Sequence, residues 1–190
     1  MQQSRQIART ESSAVLRIVR KVGPFMTLVP VALGTSWLIM TQPEREGLLD
    51  ALETSTHGRE YVWEGLLRAF NLTSNLGEGH VVALSHVMSG LLARDSPLIY
   101  PNDFRVFVDI LVRETTDLDI RDPRRGPLAT MLRVGIQSPL YARSGKYRVT
   151  EVSAVLAQWK HALEREGCAR VMDASTWKAL CDAEFALQQA

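Results

Sequence analysis

Two cysteines in 190 residues exclude a disulfide scaffold, which would carry many more, and Cys168 and Cys181 are expected as reduced thiols of a cytoplasmic protein. Charge of one sign is missing too. Twenty-two basic against 21 acidic residues give a formal net charge of +1, so no whole-molecule field draws in a phosphate backbone and nucleic acid is not an expected partner. Nowhere does a two-residue alternation run into an Asn-Gly or Asp-Gly turn, the mark of a β-hairpin. Low-complexity tracts and long linkers are also lacking. With 46% hydrophobic and 23% charged residues, the chain has the composition of one ordinary globular domain over residues 1–190. The N-terminal segment sets its basic residues inside an amphipathic pattern and has no short apolar core of a secretion signal.

One uncharged run is long. Residues 22–40, VGPFMTLVPVALGTSWLIM, pass 19 positions without a charge just after Arg20 and Lys21, which matches the length of a membrane span. Pro24, Pro30 and Gly34 divide it, and Thr27, Thr35 and Ser36 dilute it, so a buried pair of short helices is expected and a membrane is not.

Helical periods fill the rest. Helices are expected over about 4–22, from Thr41 to about 54–58, over 59–76 with Trp63, Leu66, Leu67 and Phe70 inward, and over 80–94. Asn102 opens another in which Phe104, Phe107, Val108, Leu111 and Leu118 recur at helical spacing, apolar over most of its girth and therefore covered on more than one side. On its exposed strip Arg105, Asp109 and Arg113 form an i,i+4 ladder. Pro127 starts a shorter helix that Pro139 ends, Thr150 caps one that buries Val152, Val155, Leu156, Trp159 and Leu163, and a last one over 173–188 turns Trp177, Leu180, Cys181 and Phe185 inward. The class is all-α, and about eight or nine short helices fit an α-solenoid better than a four-helix bundle.

Signs of chemistry are thin. His57, His80, His86 and His161 never stand three or four residues apart, so no metal ligand pair shares a helical face. Gly77 and Gly79 lack the strand, the third glycine and the Lys-Ser or Lys-Thr of a phosphate loop, and are read as a helix break. Neither cysteine has a histidine partner motif. Catalysis, a cofactor, a metal and a small-molecule substrate are therefore not expected. What remains is the loop from Ser138 to Arg148. Its Arg143, Lys146, Tyr147 and Arg148 are the candidate partner-binding residues, because tyrosine and arginine bury well at interfaces and the basic groups suit an acidic protein surface. Loop tyrosines also anchor their own loops, and composition alone leaves both roles open.

Residues 98–160 carry a further pattern. Tyr100, Asn102 and Asp103 open it; Val106, Val108, Asp109, Ile110, Leu111 and Arg113 follow; Thr116, Asp117 and Leu118 end the run; and Lys146, Tyr147 and Arg148 precede a helix. In order and spacing this stretch resembles the leucine-rich armadillo-type domain of the WISH/DIP/SPIN family, activators of the actin-related protein 2/3 complex. The resemblance covers about one third of the chain. It implies an armadillo-like helical stack that binds the branching complex without a mother filament and seeds unbranched actin filaments, at cortical actin patches in the cytoplasm. No catalytic residue is needed for that role. Family members have a longer helical domain, and the proline-rich and SH3 parts of some relatives are missing here. A generic helical scaffold that docks a peptide or a partner helix is the alternative expectation.

Overall fold

The computed structural model describes residues 37, 40–54, 61–72, 78–116, 118–119, 121–165 and 174–189. Among the described residues the chain forms eight helices and no strand: α1 (Gln42–Thr54), α2 (Val62–Asn71), α3 (Glu78–Ala93), α4 (Pro101–Thr116), α5 (Arg125–Gln137), α6 (Pro139–Arg143), α7 (Val149–Arg165) and α8 (Ala174–Gln189). The all-α expectation holds. The expected helix over 4–22, most of the apolar run 22–40, His57, Cys168 and the cap Asp173 lie outside the described residues. Of that run, Trp37 is buried and Met40 packs half-buried against the core.

Local chemistry sets the helix ends. Before α1, the amide and hydroxyl of Thr41 both donate to Glu44 Oε2 at 2.7 Å, while the Thr41 carbonyl accepts the Arg45 amide at 3.0 Å. A glutamate in the first turn reaching back to the cap residue satisfies an otherwise unpaired donor. Pro43 costs nothing there, because a first-turn amide has no partner inside the helix. Several ends differ from expectation. Helix α3 begins at Glu78 and so absorbs Gly79, which the sequence reading placed in a break. Helix α4 stops at Thr116, and Leu118 packs half-buried beyond it. Helix α5 starts two residues before Pro127, at Arg125, because the Asp122 carboxylate already accepts the Arg124 amide at 2.9 Å and the Asp122 carbonyl accepts that of Arg125 at 3.1 Å. Helix α7 starts at Val149, so Thr150 lies inside its first turn and does not cap it.

Packing follows two alternating rows. Helix α2 packs on α4 and α4 on α7; α3 packs on α5 and α5 on α8; the neighbours α2–α3, α4–α5 and α7–α8 join the rows. Helix α4 therefore meets α2, α5, α6 and α7, as its apolar girth requires. Phe107 is the centre of its packing. The ring centroids of Trp63, Phe104 and Phe70 lie 5.9, 5.9 and 6.1 Å from that of Phe107, and a Cβ added at Gly135 of α5 would come within 3.2 Å of it.

Helix α5 makes its most extensive contacts with α8 and with α3, and small residues explain the close approach. A Cβ at Gly126 would meet Thr176 Oγ1 at 3.1 Å. On α8 the buried residues are Thr176, Ala179, Leu180 and Ala183, whereas Trp177 and Phe185 are exposed and Cys181 is half-buried. This corrects the expected inward face of the last helix. Burying two large rings would push α8 away from α5, and the structure instead turns alanines and a threonine to the contact, keeping Leu180 alone of the expected set fully inside.

Two outcomes follow. Ala183→Leu overpacks the buried face of α8 and lowers unfolding free energy in urea by about 1–3 kcal/mol, whereas Phe185→Ser costs under about 1 kcal/mol; the reverse ranking would return Phe185 to the core. For Asp122, the hydrogen bond from the Arg124 side chain holds the carboxyl below its ordinary pKa. A depressed folded pKa gives stability that is present above the unfolded value and lost as pH falls through the folded one. Asp122→Asn keeps the acceptor for the Arg124 amide but not the charge, so its deficit against wild type in pH-dependent denaturation is expected at neutral pH and disappears in acid.

Candidate functional site

The segment between α5 and α7 is not an open loop. Ser138 caps α6, its hydroxyl accepting the Leu140 amide at 3.2 Å, and Pro139 takes the first helical position. Tyr141 then points its ring into the core, 1% exposed, against Phe104 at 6.5 Å. Burial, with a smaller contribution from Glu151, pushes its hydroxyl pKa up to about 12. Tyr141 is thus a packing residue and not part of a gripping surface.

After α6 the backbone takes left-handed conformations at Gly145 (φ 73°), Lys146 (φ 56°) and Arg148 (φ 55°). Only glycine adopts these without steric cost, so surrounding contacts must hold the other two residues there. Those contacts are visible. The Lys146 amide donates to the Tyr141 carbonyl at 3.0 Å, and the Arg148 guanidinium pairs with Asp109 on α4 and, at 3.2 Å, with Glu151 in the first turn of α7. The Tyr147 hydroxyl lies 3.4 Å from Asp109 Oδ2, and its ring has the Arg105 and Arg148 guanidiniums 5.7 and 5.8 Å from its centroid. Arg143 forms a two-pronged pair with Asp95, at 2.8 and 2.5 Å, tying the end of α6 to the turn after α3. That pair holds the Asp95 carboxyl below its ordinary pKa, chiefly through the hydrogen bond.

The four candidate residues therefore come together, with different freedoms. Arg143 and Arg148 face solvent but are charge-paired within the chain, and Tyr147 is half-buried. Lys146 has no ion-pair partner among the described residues. The expected ladder on α4 does not form. Asp109 turns to Arg148, Arg105 stacks on Tyr147, and Arg113 pairs with its neighbour Glu114 at 2.7 Å. A charge 39 residues away in sequence wins because the left-handed turn sets Arg148 beside Asp109, an arrangement no periodicity reports.

A second basic group escaped the sequence reading. Arg125 is 5% exposed, lies 4.4 Å from the Trp159 ring centroid, and donates to the carbonyls of Asp119, at 2.6 Å, and Leu118. Trp159 in turn donates to the Thr115 carbonyl at 3.0 Å. Together they fasten the turn between α4 and α5 to α7, so Asp119 and the charged residues 121–125 are anchored from beneath. Among the described residues no group of three or more His, Cys, Asp or Glu side chains could hold a metal ion, and no helix is long and apolar enough to cross a membrane. The chain matches no protein-family model, no curated protein and no solved structure.

Removing the carboxylate tests the clamp directly. Asp109→Ala removes the contact that Arg148 and Tyr147 share and leaves Arg148 to Glu151, so amide hydrogen exchange accelerates over 145–149 while α5 and α8 keep their protection. Unchanged exchange in that turn would mean that Asp109 does not hold it.

Proposed function

We propose that this chain is an armadillo-like helical platform that works by binding another protein and performs no chemistry of its own. The two-row packing supports the solenoid reading, because the main contacts of α2, α3, α4, α5, α7 and α8 run along and across the rows, as in stacked helical pairs. Within that platform the partner proposed is the actin-related protein 2/3 complex, following the resemblance of residues 98–160. One observation supports the reading: three of the residues that bear the resemblance meet on the surface. Asp109 of the first run and Tyr147 and Arg148 of the last are joined into a single cluster across α4 and α7, with Lys146 beside them. Two stretches about 40 residues apart thus meet at one small cluster, with the composition of a partner contact. Binding there would hold the branching complex in its nucleating arrangement and seed unbranched filaments at cortical actin patches.

In a polymerisation assay with purified actin and the branching complex, the chain is expected to shorten the lag and produce unbranched filaments. Lys146→Glu is the informative variant, since Lys146 supports no ion pair within the described chain whereas Arg148→Glu would also open the clamp. It should weaken binding of the complex at least tenfold without altering the thermal melt. No binding and no change in lag by the wild-type chain would end the actin reading.

A further inference from the structure

Helix α8 has two contrasting faces, and one of them is used inside the chain. Thr176, Ala179, Leu180 and Ala183 are buried where α8 packs on α5 and α7. At about 100° per residue, Trp177, Cys181 and Phe185 follow one another four residues apart on the opposite side and form one ridge. Trp177 is 39% exposed and Phe185 64%, the highest value of any large apolar side chain among the described residues, and Cys181 between them is a half-buried free thiol. Neither ring joins the core cluster. Helix α8 also ends the row α3–α5–α8. The last helix of a stack normally turns a polar face outward, whereas this one presents an indole, a thiol and a phenyl ring.

The edges of that ridge identify what covers it. On one edge Glu184 already pairs with Lys160 of α7. On the other, Lys178 is exposed and Asp182 half-buried, and neither has an ion-pair partner among the described residues. A second copy of α8 laid antiparallel on the first, with a two-fold axis beside Cys181, sets each residue before Cys181 against the residue equally far after it in the other copy. Trp177 then meets Phe185 of the second copy. Such a rotation keeps each edge on its own side, so Lys178 lies on the same edge as Asp182 of the second copy, offset along the helix by about 3 Å, the rise of two residues. The free cation of each copy thus faces the free anion of the other. Self-complementarity under a two-fold rotation is the requirement of an isologous interface. The small Cys181 side chain at the axis permits close approach. Packed helices about 8–10 Å apart, with Cα atoms about 2.3 Å from each axis, leave facing Cα atoms roughly 3.5–5.5 Å apart, which overlaps the separation a disulfide spans.

We propose that the Trp177–Cys181–Phe185 ridge is a homodimer interface, in which two copies of α8 pack antiparallel about a two-fold axis at Cys181. The proposal is independent of the partner named above, whose proposed contact lies on α4 and the turn before α7. One pair of helices makes a small interface, so a dissociation constant in the micromolar range is expected. Sedimentation equilibrium of the full chain tests it, the mass rising with concentration toward that of two chains. Phe185→Ser should raise the dissociation constant at least tenfold while the monomer keeps its helical circular dichroism. Lys178→Glu and Asp182→Lys each set like charges against one another and should each weaken association at least fivefold. An equimolar mixture of these two variants should recover it, because both pairs across the axis are then opposite in sign, a rescue that no effect within one chain produces. Diamide, which takes up the two protons and two electrons released by a pair of thiols, should join two chains through Cys181, as read from the mass of the linked peptides. The mass of one chain at every concentration up to millimolar, unchanged association in Phe185→Ser, no recovery in the mixture, or a linked dimer that excludes Cys181 would overturn the proposal. A monomer whose Cys181 resists a thiol reagent would assign the ridge to another part of the same chain and overturn it equally.

Discussion

Close approach at α5 is the constraint from which the rest of the arrangement follows. Gly126, Ala129 and Gly135 on α5 face Thr176 and the alanines of α8 on one side and the Phe107 ring on the other. Small residues let backbones come near, and the Phe107 ring packs over Gly135 with Trp63 and Phe70 of α2 beside it. Once α5 is fixed, its neighbours in both rows are fixed with it.

Several charges hold turns. Arg143 with Asp95, Arg148 with Asp109 and Glu151, and Arg125 beneath Trp159 each join segments that meet between helices. Exposed ion pairs contribute little to global stability. Their value here is local. The pairs at Arg143 and Arg148 brace a turn with two non-glycine residues in the left-handed region, a conformation that free chain would abandon.

Much of the helical layout was legible in the sequence, because burying one face imposes a 3.6-residue period that apolar residues record. The inward sets of α2, α4 and α7 follow that record: Trp63, Phe70, Phe104, Phe107, Val155 and Trp159 are all buried. The last helix broke the rule. There the closest packing partner demanded alanine, and hydrophobicity pointed to Trp177 and Phe185, which lie exposed. The candidate loop was legible as a place but not as a mechanism. Composition marked Arg143, Lys146, Tyr147 and Arg148, yet their differing freedoms depend on Asp95 and Asp109, 48 and 39 residues away from their partners. Local patterns carry no information about such pairings, and for that reason the i,i+4 ladder was expected where a cross-helix clamp exists.

The left-handed turn before α7 acts as a phase setter. An α-helix rotates by about 100° per residue, so the residue at which α7 begins determines which of its faces meets α4. Moving that start by one position would swing Val155 and Trp159 out of their seats and bring polar neighbours such as Gln158 inward. Turn length at 144–148 therefore matters more to the packing of α7 than turn composition does.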